Sequence, residues 1–302
     1  MARADERVRH GIELAEKGAL YASRKEFMTA IRLIAQANDI EHGTRRYSRA
    51  AIAGFLALKE ANDFVNQNAA LGELDVARLV SGHKTPVLKD AGVEDMPPTI
   101  AAQYYFGYAK DQLAEGVGRE AVGSIALYGL GRIIIAGAGP NSQQLDYAGP
   151  AMALYQAALI AEPQNFRAAH ELGVLLVGTG QLELARAMLM GSAAVAPPQS
   201  MIWRNLAVVH SRLGEPQLAQ EAKQKAEAMQ QQSGPASTAP RVEWVDPATF
   251  ANTVGATDSL TPPAAVPPAQ SSPAKALSEP AKSPGSALRK RITEWDPLNL
   301  RR

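Results

Sequence analysis

Residues 165–231 contain two copies of one pattern, 34 positions apart. In the first copy Leu172-Gly173 is followed by Leu176, Gly180, Ala185, Leu189, Ser192 and Pro197. In the second, the same places hold Leu206-Ala207, His210, Gly214, Ala219, Lys223, Ala226 and Gln231, with Trp203 one turn ahead of Leu206. A period of this length with small residues at fixed points marks a helix-turn-helix unit that cannot bury its apolar face alone and must stack on its neighbours. The small residues belong where two helices cross and their backbones approach closely, and the larger apolar residues fill the spaces between. The expected fold class is therefore all-α, built from antiparallel helical pairs.

The rest of the chain parses against that unit. Gly11, Leu14, Gly18, Phe27 and Ala30 fall at the spacings of Gly173, Leu176, Gly180, Leu189 and Ser192, which predicts a helical pair over residues 5–36. Phe27, Ile31 and Ile34 give its second helix a 3–4 apolar stripe. A further helix is expected over 45–65, with Tyr47, Ala50, Ala51, Gly54, Leu58 and Ala61 on one face. Residues 66–98 break the pattern. A short helix is allowed at 74–80, and then Gly82, Pro86, Gly92, Pro97 and Pro98 mark irregular chain. This stretch reads as an insertion inside a repeat whose second helix is residues 99–115. Next, Leu127, Leu130-Gly131 and Ile134 match Ala169, Leu172-Gly173 and Leu176, while Ala151, Tyr155, Ala158 and Pro163 match Ala185, Leu189, Ser192 and Pro197. The extra residues between those helices predict a loop over about 137–146 projecting from one face. The expected division is thus 1–98, divergent helices with the insertion; 99–232, regular repeats; and 233–302, a tail.

These features resemble the tetratricopeptide repeat family. The resemblance implies a right-handed solenoid in which the first helix of each pair lines a concave, peptide-binding groove. By that resemblance the groove residues are Tyr128 and Arg132, then Arg167, His170 and Val174, then Met201, Arg204, Val208 and Arg212. Apolar ground set with guanidinium groups suits a peptide that has an apolar anchor and acidic residues. The family's chaperone-binding members grip a C-terminal carboxylate with Lys and Asn, but Val174 and Val208 stand at the Asn places, so binding of a chaperone tail is not expected.

Composition limits the alternatives. Hydrophobic residues make up 46% of the chain but aromatics only 6%, which suits close-packed helices better than a sheet core. A net charge of +1 gives no bulk attraction for nucleic acid or an anionic membrane. Cysteine is absent, so disulfides, thiolate metal sites and thiol nucleophiles are excluded. The charged start, Met1 to Arg7, has no signal-like apolar run and predicts a cytoplasmic chain. Because Met1 stands almost inside the first helix, an upstream start carrying an export signal is the alternative.

The tail is rich in Pro, Ala and Ser, carries eight Lys or Arg against six Asp or Glu, and is expected to be disordered. Two islands repeat within it, Glu243-Trp244-Val245-Asp246-Pro247 and Glu294-Trp295-Asp296-Pro297. Tryptophan anchors dominate many interfaces. Trp244, Asp246, Trp295 and Asp296 are therefore candidate docking residues, for a partner or for the chain's own repeats.

Catalytic and cofactor patterns are weak. Ile133-Ile134-Ile135-Ala136-Gly137-Ala138-Gly139-Pro140 imitates the strand and glycine turn of a dinucleotide site, but Ser142 replaces the third glycine and a helix, not a strand, follows. The isoleucines read better as the end of a helix. Histidines 10, 42, 83, 170 and 210 form no metal-binding spacing; His210 is expected to pack and His170 to be a solvated groove residue. Residues 81–86 (Ser-Gly-His-Lys-Thr-Pro) lack phosphate-loop spacing and read as a flexible loop, and no nucleophile elbow or paired carboxylates stand out. The sequence thus predicts a non-catalytic scaffold or adaptor without metal or cofactor, binding a protein or peptide. The alternative is a regulatory or targeting subunit that binds a small molecule or nucleotide near the loop between Gly129 and Asp146.

Overall fold

The computed structural model describes residues 1–65, 75–139 and 144–232. The expected disordered tail, with Trp244, Asp246, Trp295 and Asp296, lies outside the described residues, as does part of each insertion. Within them the chain is entirely helical. The elements are α1 (Ala2–Glu16), α2 (Leu20–Glu41), α3 (Arg46–Ala61), a short 3-10 turn (Asn62–Phe64), α4 (Val76–Gly82), α5 (Pro98–Val117), α6 (Ala121–Gly137), α7 (Gln144–Ala161), α8 (Phe166–Gly178), α9 (Leu182–Val195), α10 (Ser200–Arg212) and α11 (Pro216–Gln232).

Three hairpins turn by the same local chemistry. Gly18, Gly180 and Gly214 hold φ of 74°, 79° and 77°, which an L side chain adopts only with strain. In each, the residue after the glycine donates its NH back to the helix, Ala19 to Leu14 O, Gln181 to Leu176 O and Glu215 to His210 O, all at 2.9 Å. This left-handed close satisfies carbonyls that a helix end would otherwise leave unpaired. The sequence match of these three places is therefore a match of backbone geometry.

The packing glycines act as notches for large side chains. A Cβ on Gly11 would lie 2.9 Å from Phe27, on Gly131 2.4 Å from Tyr155, and on Gly173 2.7 Å from Leu189. Phe27, Tyr155 and Leu189 are all buried, and each removes apolar surface worth about 1.5–3 kcal/mol. The last pair departs from the rule: Ala207 and Lys223 replace the notch and the knob, and Lys223 is exposed. Only Ala219, Ala222 and Ala226 of α11 are buried.

The order in space differs from the order in sequence. Helix α6 packs on α1 and α2, with Gly129 pressed onto the Phe27 ring, so the α6–α7 pair follows directly on α1–α2. The α7–α8 and α9–α10 contacts then carry the stack on. Helices α3 and α5 pack on each other, Gly54 against Leu113 and Gly116 against Ala51, and lean on α2 and α7. The expected helices of residues 45–65 and 99–115 are thus paired, but as a side lobe and not as the next unit in line. A division at 98–99 cuts through that lobe. The lobe has its own core, formed by Ala57, Phe64, Val76, Val80, Ala101 and Tyr105 among others.

Helix α7 begins earlier than expected and runs through Gly149-Pro150. Pro150 lies within its second turn and forgoes one i→i−4 hydrogen bond there. Gly149 meanwhile lets the Phe106 ring of α5 seat against the backbone. No helix among the described residues is long and apolar enough to cross a membrane.

Candidate functional site

The expected groove residues divide into two groups. On the first helices of successive pairs, Arg132 Nη1 donates to the Tyr128 hydroxyl at 3.3 Å and to Glu171 Oε1 at 3.0 Å, joining α6 to α8. One helix further, Asn205 Nδ2 donates at 2.7 Å to His170 Nε2, joining α8 to α10. That contact leaves the ring proton of neutral His170 on Nδ1, which lies 3.8 Å from Glu171 Oε1. The result is a polar ladder across three helices.

Two readings change in consequence. Tyr128 is buried, not open on a groove, because Gly129 and Gly131 draw α6 down onto Phe27 and Tyr155. His170, expected to be solvated, has a side chain only 15% exposed and fixed by Asn205. Burial works against the charge of Arg132, but Tyr128, Glu171 and Tyr155 more than offset it and hold its pKa above the usual arginine value. Burial, reinforced by Glu171 and Tyr128, pushes Tyr155 well above the usual phenol range, and its hydroxyl has no hydrogen-bond partner among the described residues. Tyr128 is raised too, mainly by burial.

The second group is accessible. Met201, Arg204, Val208 and Arg212 follow each other at three- and four-residue steps on α10 and so share one face. Val208 is 49% exposed between the two arginines. Arg204 bonds Gln230, and Arg212 donates to Val177 O at 3.0 Å, so both guanidinium groups are positioned. Val174 on α8 is half-buried, and Arg167 lies 5.5 Å from the centroid of the Phe166 ring.

No family model and no curated protein matches this chain.

Residues 133–137 of the glycine-rich stretch are helical, so their backbone NH groups serve the helix, while residues 140–143 lie outside the described residues. The crevice beside Gly129, Arg132, Ile133 and Ala136 holds about 20 Å³, room for a single water. No group of three or more metal-ligating side chains occurs among the described residues.

Two features have only faint sequence signals. In the side lobe, residues 81–86, expected to be a flexible loop, are pinned. Glu60 accepts from Lys84 NH at 2.6 Å and from the Thr85 hydroxyl at 2.5 Å. His83 bridges Tyr105 at 2.7 Å and Asp63 at 3.2 Å, and the Tyr105 hydroxyl donates to Val87 O at 3.1 Å. Burial, then the charge of Glu60, raises Tyr105 to about 12. The signal was Glu60 itself, a carboxylate on the alanine face of α3. The second feature is a cleft of about 610 Å³ between α9 and α11, floored by Trp203, Leu206 and His210 of α10. Met190 and Leu218 form exposed apolar walls. Beside it His210 Nδ1 lies 2.6 Å from Glu215, which also accepts from Arg186 at 2.8 Å. The His210 hydrogen bond, with help from Arg186, keeps Glu215 below the ordinary carboxylate value. His210 is thus held within the fold, as expected of a packing residue. Lys223, standing where the other pairs carry a large apolar residue, signals that the last pair departs from the pattern, though it does not itself line the cleft.

Proposed function

We propose that this chain is a non-catalytic scaffold of tetratricopeptide-like pairs that binds a protein or peptide segment on the face formed by its first helices. The observation that carries this reading is the shared turn at Gly18, Gly180 and Gly214 together with the notch-and-knob contacts of Gly11, Gly131 and Gly173. Repeated pairs of this kind present a continuous face whose residues are free to vary. Within that face the contact patch is the α10 stripe of Met201, Arg204, Val208 and Arg212, with Val174 and Arg167 beside it. Tyr128, Arg132 and His170 serve as the rigid support behind the patch. A solvated apolar side chain between two positioned guanidinium groups selects an extended segment with one apolar anchor flanked by Asp or Glu.

The test is a peptide array probed with the full chain. The expected hits share an apolar residue flanked by acids, and Arg204→Glu with Val208→Asp weakens them at least 10-fold. Hits of undiminished strength on that double variant would remove the groove from the proposal.

A further inference from the structure

The α9–α11 cleft lies on the second-helix side of the last pair, away from the α10 stripe, and it has the attributes of an anchor site. Its volume of about 610 Å³ is within the roughly 300–1,000 Å³ that ligand pockets occupy. Met190 and Leu218 expose 55% and 43% of their surface there, and Trp203 offers an aromatic wall with Lys225 Nζ 4.5 Å over its ring. Lys225 and Arg186 place positive groups at its edges, Arg186 being paired with Glu183 and Glu215, and Glu221 is the one acid in the lining. At the place of Phe27, Tyr155 and Leu189, α11 carries the exposed Lys223, and its buried residues are the small Ala219, Ala222 and Ala226.

Helix α11 forms one wall and ends at Gln232, and the chain continues for residues 233–302. Residues 233–243 separate that end from Trp244. At roughly 3.3 Å per residue such a tether reaches over ~30 Å, whereas the way back along α11 from Gln232 to Leu218 is about 21 Å at ~1.5 Å per residue. A short tether also supplies its ligand at an effective concentration in the millimolar range.

We propose that residues 243–247, Glu-Trp-Val-Asp-Pro, dock into this cleft of their own chain, with the Trp244 indole among Met190, Trp203 and Leu218 and with Glu243 and Asp246 toward Arg186 and Lys225. A buried tryptophan supplies the area and a π face for Trp203. The acids flanking the indole complement Lys225, the lining cation that carries no ion pair among the described residues. The cleft is thereby a self-recognition site, separate from the first-helix face that the scaffold reading uses for partners.

The natural chain has no cysteine, so engineered pairs report proximity cleanly. In the full-length protein, Val245→Cys is combined either with Met190→Cys in the cleft or with Val208→Cys on the α10 stripe. Both test positions are about half exposed on neighbouring elements, so the tether serves each comparably. Under mild oxidation the Met190 pair is expected to close into an intramolecular disulfide at least 10-fold faster than the Val208 pair. Adding Trp244→Ala, or Leu218→Asp in the cleft wall, should remove that preference. Equal rates, faster closure at Val208, or a preference that survives both added substitutions would overturn the proposal. Disulfide-linked dimers forming in place of the internal bond would overturn it as well, assigning the cleft to a second copy's tail. Circular dichroism of each variant confirms that the helices are retained.

Discussion

The main stack and the side lobe are both made of helical hairpins, yet they are closed by different physics. In the stack, α1–α2, α6–α7 and α8–α9 meet through a glycine under a large buried side chain. Specificity there is steric, and the turns after α1 and α8 are tight. In the lobe, α3 and α5 use the same device at one end only, where Gly54 and Gly116 meet Leu113 and Ala51. At the other end the irregular chain through residues 83–97 intervenes, and its backbone polar groups must be satisfied inside the fold. Glu60 and Tyr105 do this, and His83 holds the Tyr105 hydroxyl in place. The difference teaches that a small-residue contact tolerates no added volume, whereas a polar clasp tolerates volume but no lost partner and is exposed to pH.

Substitutions can sharpen that contrast. The largest effect is expected from Gly131→Val, since a Cβ already lies 2.4 Å from Tyr155 and α6 has neighbours on both sides. A loss of about 3 kcal/mol or more in urea unfolding is expected from overpacking. The matching insult to the lobe is Glu60→Ala, which strands the Thr85 hydroxyl and the Lys84 NH. About 2–3 kcal/mol should be lost, with hydrogen exchange rising first over residues 83–97. If exchange rose equally in α8 and α9, lobe and stack would be one cooperative unit and the contrast would fail.

A smaller effect tests the turns. Gly180→Ala places a side chain at φ 79° with open space around it, so backbone strain alone should cost about 1 kcal/mol. Alkaline titration then separates the clasp from the notches. Tyr105 holds its proton to about 12 in the folded protein, against about 10 for a free phenol. Over that window the unfolded chain releases a proton that the folded one keeps. Its contribution is therefore complete below pH 10 and is lost as the pH rises toward 12. Tyr105→Phe should lower stability at neutral pH and flatten the fall between pH 10 and 12 relative to the unaltered protein. An unchanged slope in the variant would mean that Tyr108, Tyr128 and Tyr155, which are raised as well, account for the whole alkaline loss. The smallest expected change is a gain: Lys223→Leu supplies the apolar knob that α11 lacks and should add under about 1 kcal/mol.

Much of the stack was readable because its constraints are local. Positive φ favours glycine, so Gly18, Gly180 and Gly214 announce their turns, whereas Leu88 at φ 61° takes the same region unannounced; spacing along a helix fixes which residues share its face. Spacing likewise puts Met201, Arg204, Val208 and Arg212 on one face of α10, and it was the family resemblance that marked this face as the groove. Tyr128 and His170 were not, because their exposure depends on how deeply α6 and α8 sink against neighbours distant in sequence. Glu60 was passed over because a lone carboxylate carries no sign of the two donors that meet it 24 and 25 residues later.

The sequence alone determined helices, turns and pairing within each hairpin, since these follow from backbone φ, side-chain volume and a period near 3.6 residues. Which hairpin stacks on which was decided only in three dimensions. The Phe27 ring is equally able to serve any helix that offers a glycine. It takes Gly129 of α6 because that contact closes a layer continuous with Tyr155 and Leu189, leaving α3 and α5 to one side.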